Sequence, residues 1–187
     1  MNNKEKILQF AASEMSRLGF NAVSMDMIVE KTGIAKSNAY YHYQNKEDLG
    51  IDVLNFWAGI WREFCEVTIS NKSLEFDMKF EQFFDRIILY QTKAHFPGPP
   101  LLQIAGEMQN ARAKEIYQET YRFYYTSCAN FILLGQQKGV IKRNLNAELA
   151  SSLLLNEIGG ALMESRISQN AAPIIKAKHI IKSLIYA

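Results

Sequence analysis

With 187 residues, 48% of them apolar and 21% charged, the chain can fill one good-sized core, or a small domain joined to a larger one, and is not disordered over most of its length. The net charge of +2 divides into six Lys/Arg against seven Asp/Glu over residues 1–52 and fifteen against twelve beyond, so no broad basic field of the kind common in nucleic-acid-binding domains is present. No stretch approaches the roughly 18 apolar residues of a membrane span, the polar start Met1–Lys6 is unlike a signal peptide, and neither the two cysteines nor the three scattered histidines show metal-ligand spacing. A cytoplasmic protein with no membrane partner, no metal and no cofactor is expected.

Helical periodicity runs from end to end. Ile7, Ala11, Met15 and Leu18, at steps of four, four and three, form the stripe of an amphipathic helix that Gly19 stops, with Phe20 and Val23 as anchors beyond it. Ser24 is a good N-cap for a short second helix with Asp26 in its first turn and Ile28 and Val29 facing inward; Gly33 breaks it after Thr32. A third helix is predicted from about Lys36 to Tyr43. Asn45, with Asp48 three residues on, caps a long fourth helix whose apolar face (Leu49, Val53, Phe56/Trp57, Ile60/Trp61, Phe64) reaches about residue 69. Another helix is predicted over about 74–93. The three prolines of His95–Pro100 force a break. A short helix over about 100–108 follows, then a long one to Lys138 closed by Gly139, one capped by Asn146 to about residue 168, and a last one opened by Pro173. No strand-like alternation of useful length occurs. The fold class is all-α.

Two short helices joined by a glycine-containing turn, Ser24–Thr32 and Lys36–Tyr43, have helix-turn-helix dimensions. The second helix of such a motif enters the major groove, and its early residues reach base edges. Lys36, Ser37 and Asn38 occupy those positions; lysine donates to guanine acceptors and asparagine bonds adenine bidentately. Tyr40, Tyr41, His42 and Lys46 suit phosphate contacts that fix register. Tyr43 reads as core, Tyr41 as core or contact, and His42 as phosphate contact or as a packed cap.

The run Gly33-Ile-Ala-Lys-Ser-Asn-Ala-Tyr-Tyr-His-Tyr-Gln-Asn-Lys-Glu-Asp-Leu49, with Ile7-Leu8, Ala11-Ala12, Gly19-Phe20, Val23-Ser24 and Ile28 upstream, resembles the signature of the TetR family over about residues 5–50. A weaker likeness to C-terminal domains of that family runs through Gly135, Gly139-Val140-Ile141, Asn144-Leu145, Leu149-Ala150 and Gly160-Ala161-Leu162. The resemblance implies a three-helix DNA-binding domain over 1–48 and a helical ligand-binding and dimerisation domain over 49–187. It further implies a homodimer on a near-palindromic double-stranded operator, a small-molecule effector, repression as the default, and no enzymatic activity. Ser24, Lys36, Ser37, Asn38, Tyr40, His42 and Lys46 fall at the family's DNA-contact positions. This chain departs from the pattern at Ala35, which replaces the usual hydroxyl cap, at Ser37 and Ala39, and at Asp26, where some members carry a basic contact.

Beyond residue 50 the aromatic spacing admits two readings. Trp57, Trp61 and Phe64, Phe80 and Phe84, and Tyr121, Tyr125 and Cys128 are at core spacing, and in a sensing domain the same residues would line an effector pocket of apolar or aromatic preference. Glu157 fits a buried polar member of that pocket or a solvated face. Cys65 and Cys128 have no flanking cluster of cations and read as inert thiols. The last two helices carry Leu154, Ile158, Ala161, Leu162, Ile174, Ile181 and Leu184, expected as a two-fold four-helix interface, with packing inside one subunit as the alternative. A competing function is a helical ligand-binding or adaptor protein with little DNA activity, favoured by the net −1 of residues 1–52 and the missing cap at Ala35.

Overall fold

The computed structural model describes residues 1–187 as nine α-helices: α1 Asn3–Leu18, α2 Met25–Thr32, α3 Lys36–His42, α4 Lys46–Val67, α5 Phe76–Lys93, α6 Pro100–Glu107, α7 Ala111–Lys138, α8 Ala147–Ser168 and α9 Ala172–Ile185. The all-α class and the order of elements agree with the sequence reading. The punctuation is local chemistry. Asn2 forms a reciprocal capping box with Glu5 at the start of α1, while Ser24, Asn45 and Asn146 accept from the backbone N–H three residues on. Gly33 ends α2 in the left-handed region (φ 67°), a conformation that β-carbon-bearing residues adopt at a cost, and so turns the chain toward α3. Leu18 is exposed rather than inward: Ala12 and Ser16 take the buried face of α1 on from Met15.

The chain forms two compact units. The first joins Met1–Ile60 to Pro99–Glu119. Its core holds Ile7, Ala11, Met15, Phe20, Val23, Ile28, Ala39, Leu49, Val53 and Trp57, together with Leu101, Ile104 and Met108 of α6 and the turn after it. Helix α1 packs on α2, α3 and α6. The end of α6 is fastened to the turn after α1: the Asn21 N–H donates to the Glu107 carboxylate at 2.8 Å. Gly19 sits at φ 94°, where other residues are strained, and a β-carbon there would also push the Glu107 carboxylate aside. Packing therefore gathers more of the chain around α2 and α3 than the expected domain of residues 1–48.

The second unit, Trp61–Gly98 with Thr120–Ala187, is built on aromatic packing. Phe76 stacks on Phe131 at 4.7 Å between ring centroids, Phe80 meets Phe84 at 4.9 Å and Tyr186 at 5.6 Å, and Ile87, Ile132, Leu154, Leu162, Ile174 and Ile181 close the core. Helix α9 lies against α8 and α5, and Lys178 bonds Glu81 at 2.7 Å and Asp85 at 2.8 Å on the α5 side. The break between α5 and α6 is held by a fully buried amide: Gln91 Nε2 donates to the Gly98 carbonyl at 2.7 Å, and the Gly98 N–H donates to Gln91 Oε1 at 3.1 Å. No helix is long and apolar enough to cross a membrane.

Candidate nucleic-acid interface

Helix α3 is anchored by Ala39, which is fully buried, and bracketed by buried Ile34 and Tyr43. The Tyr43 hydroxyl donates to Asp52 Oδ2 at 3.1 Å, and both burial and that carboxylate push the phenol's pKa up. Tyr43 is therefore core. The face opposite Ala39 is open: Lys36, Ser37, Tyr40 and Tyr41 are exposed, with Tyr41 at 82% the most exposed aromatic side chain of the helix. His42 is half-buried with its ring edge on Tyr41 at 5.3 Å. Asn38, also half-buried, accepts from Asn3 Nδ2 at 3.1 Å, which occupies one side of its amide. Ser24 spends its oxygen on the Met27 N–H and keeps its own O–H to donate.

Several cations of this unit are held by partners. Lys36 Nζ lies 2.7 Å from Asp26 Oδ1 and 5.8 Å from the Tyr40 ring centroid, and the hydrogen bond it donates to Asp26 raises the lysine pKa above its ordinary value. Lys4 pairs with Asp52 at 3.1 Å, and Lys6 donates to the Thr32 carbonyl at 2.6 Å. Lys46 differs from expectation. Its ammonium donates to the Phe20 carbonyl at 3.2 Å and lies 4.3 Å from the Phe20 ring, because the start of α4 faces the turn after α1. It ties that turn and does not stand with the exposed α3 face. Asp26, read in the sequence only as a dipole partner and a departure from family pattern, stands paired with Lys36 beside the exposed face of α3. Nothing local in the sequence signals its pairing, which depends on how α2 and α3 cross.

The expected effector residues are only partly together. Trp61 and Phe64 meet at 5.3 Å, and Tyr90 joins them at 6.5 and 6.2 Å. Phe80 and Phe84 are buried against Phe131, Tyr186 and Phe83 and are core side chains as placed. Trp57 lies in the first unit, and Tyr121, Tyr125 and Glu157 are half-buried. Cys128 is buried near Cys65, and burial pushes both thiols up to about 12. The sequence reading passed over Tyr124. Its hydroxyl is buried without a hydrogen-bond partner, near Cys65 and Arg62. The inward stripe of α7 runs through Ile116, Thr120, Tyr124, Ser127 and Phe131, and its two hydroxyl residues disguised it. A cleft of about 350 Å³ lies in the first unit, lined by Phe20, Asn21, Glu47 and residues 107–110, but its carboxylates do not suit an apolar ligand.

Most of the residues expected at a two-fold interface are covered by their own subunit. Leu154, Ala161, Leu162, Ile174 and Ile181 are buried within a single subunit, where α8 and α9 pack on each other and on the aromatic core. Ile158 is half-buried against the same core, and only Leu184 of the expected set is exposed. Periodicity marks a buried face without naming what buries it.

Comparison with known proteins follows the same division. The sequence model of the family described as bacterial regulatory proteins, tetR family, matches residues 7–52. The HTH-type transcriptional regulator QacR of Staphylococcus aureus is 38% identical over 63 residues, 34% of each chain. The HTH-type transcriptional regulator RutR of Escherichia coli is 36% identical over 58 residues, 31% of this chain and 27% of that one. The match thus spans about a third or less of these relatives. Over whole chains the likeness is one of fold. Regulatory protein TetR from Rhodobacter sphaeroides superposes with a TM-score of 0.89 at 14% identity, covering 97% of both chains. A TetR transcriptional regulator from Legionella pneumophila superposes with a TM-score of 0.84 at 20% identity, covering 99% of this chain and 98% of that one.

Proposed function

We propose that the chain, whose residues 7–52 match the tetR family of bacterial regulatory proteins and whose fold is that of TetR regulators, is a homodimeric, effector-responsive repressor of a near-palindromic operator, acting in the cytoplasm. The open face of α3 carries the reading: Lys36, Ser37, Tyr40 and Tyr41 project from a helix whose opposite side is buried through Ala39. Asn38, His42 and Ser24 flank that face, and the DNA-contacting segment is residues 1–48. Residues 49–187 sense the effector and dimerise.

The dimer reading draws on apolar residues that the subunit leaves uncovered. On α8, Leu149, Leu153, Met163 and Ile167 are exposed at steps of four, ten and four, on one helical stripe with exposed Gly160, and Ile175 and Leu184 are exposed on α9. A second copy is the occupant such a self-complementary strip suits. For sensing, Trp61, Phe64, Tyr90 and the Tyr124 hydroxyl favour a flat apolar ligand with one hydrogen-bonding group. Helix α4 links the two roles, since it starts at Lys46, just after the recognition helix, and carries Trp61 and Phe64. A ligand that prefers the non-operator state by about 1–3 kcal/mol would shift the population toward it, through a tilt of α4 that changes the spacing of the two recognition helices.

The test is selection of bound duplexes from a random pool with purified protein, beside a Lys36→Ala/Tyr40→Ala double variant. A palindrome recovered by the wild type alone is the expected result. No enrichment even at low salt, where phosphate contacts are strongest, overturns the reading in favour of a ligand-binding or adaptor protein.

A further inference from the structure

Beside the first lysine of the recognition helix stands a carboxylate. Lys36 Nζ and Asp26 Oδ1 are 2.7 Å apart on side chains 62% and 72% exposed. An exposed pair of this kind adds little to stability, and Asp26 is already favoured in the first turn of α2 without a partner. The pair's effect is positional: it fixes an ammonium next to an acceptor at the end of the helix that meets base edges.

A lysine bound to a carboxylate makes a poor phosphate contact. The pair is neutral, so it releases no counterion, and it carries a negative charge toward a row of negative charges. It does match a base pair. In the major groove a G·C pair presents guanine N7 and O6 as acceptors beside the cytosine N4 amino donor; lysine donates to the first and aspartate accepts from the second. The Tyr40 ring, its centroid 5.8 Å from the ammonium, narrows its directions further.

We infer that Lys36 and Asp26 together read one G·C base pair in each half-site, Lys36 donating to guanine and Asp26 accepting from the cytosine amino group. The inference rests on the operator-binding reading above and names a specificity determinant within it. Lys36 alone would read only the guanine acceptors; Asp26 adds the cytosine amino group and so the whole base pair.

Full-length wild type, Asp26→Ala and Lys36→Ala are each put through selection from a random duplex pool. Affinity for the wild-type consensus is then titrated against salt. Asp26→Ala is expected to lose the G·C preference at one symmetry-related pair of positions and keep the rest of the consensus. Discrimination there should fall by about tenfold to a hundredfold. Lys36→Ala should weaken binding without changing the slope of log affinity against log salt. A consensus unchanged by Asp26→Ala overturns the inference while operator binding stands. So does a Lys36→Ala slope shallower by about one, the mark of a lost phosphate contact. Failure of the wild type to enrich any sequence overturns both this inference and the operator reading.

Discussion

Replacing Gln91 with leucine removes the partners of two buried backbone groups of Gly98. In the native fold the Gly98 N–H donates to Gln91 Oε1 at 3.1 Å and the Gly98 carbonyl accepts from Nε2 at 2.7 Å, with Gln91 fully buried. A buried backbone group left without a partner costs about 1–3 kcal/mol, so two give about 2–6 kcal/mol, and the apolar gain of leucine offsets a small part. The loop it secures has His95 and Phe96 in the left-handed region (φ 56° and 53°), each about 1–2 kcal/mol uphill, so relaxation of the loop is the route by which the variant would recover. Urea unfolding at fixed protein concentration reads the loss as a lower midpoint. Gln91→Glu keeps the shape and adds a titration. The introduced carboxyl faces a carbonyl and is buried, so its pKa in the folded state is raised. Its penalty relative to wild type is therefore absent below the unfolded glutamate pKa of about 4.3 and grows as pH rises through the folded value. A Gln91→Leu midpoint equal to wild type, or a Gln91→Glu penalty independent of pH, refutes the reasoning.

Ala35 begins α3 with no side-chain cap, and Ala35→Ser should stabilise by about 1 kcal/mol, read as a melting temperature higher by roughly 2–4 °C. Gly33→Ala meets no atom within 4 Å but keeps φ at 67°, so it should cost about 1–2 kcal/mol, and Gly33→Asn less; equal losses in denaturation would contradict this. Cys65 and Cys128, with thiols held near pKa 12 by burial, should resist iodoacetamide at neutral pH in the folded protein and react once it unfolds, as mass spectrometry would show. Leu153→Lys with Ile167→Lys should give a folded monomer in sedimentation, whereas Leu154→Ala, in the subunit core, should cost about 2–5 kcal/mol of stability and leave the oligomer intact.

Local chemistry made the helix boundaries legible. Gly33 and Gly139 stop helices where a positive φ is needed, and Asn45 and Asn146 start them with a side-chain oxygen, all within three or four residues. On α3 the outward positions of Lys36, Ser37 and Tyr40 were legible from the register of the motif, while Asn38 and His42, expected beside them, are half-buried. What each face meets was not. Helix α8 is apolar nearly all round, so Leu153 and Leu154 look alike in sequence while one is exposed and the other buried. Thr120 and Ser127 lie inside on α7 although their residue type points to water. Lys46 and Lys36 find partners set by the crossing of helices, which no periodicity encodes.

The fastening of α6 to the turn after α1 also orders events during synthesis. The unit around the helix-turn-helix takes material from Met1–Ile60 and from Pro99–Glu119, so its core cannot close when residue 60 leaves the ribosome. At about 5–20 residues per second, the missing stretch arrives roughly 3–12 s later, and until then Phe20 and the end of α1 lack Glu107 and Met108 as cover. A nascent chain stalled in that interval would present the recognition helix on an unfinished base. A fragment cut at residue 60 would be left permanently in that condition.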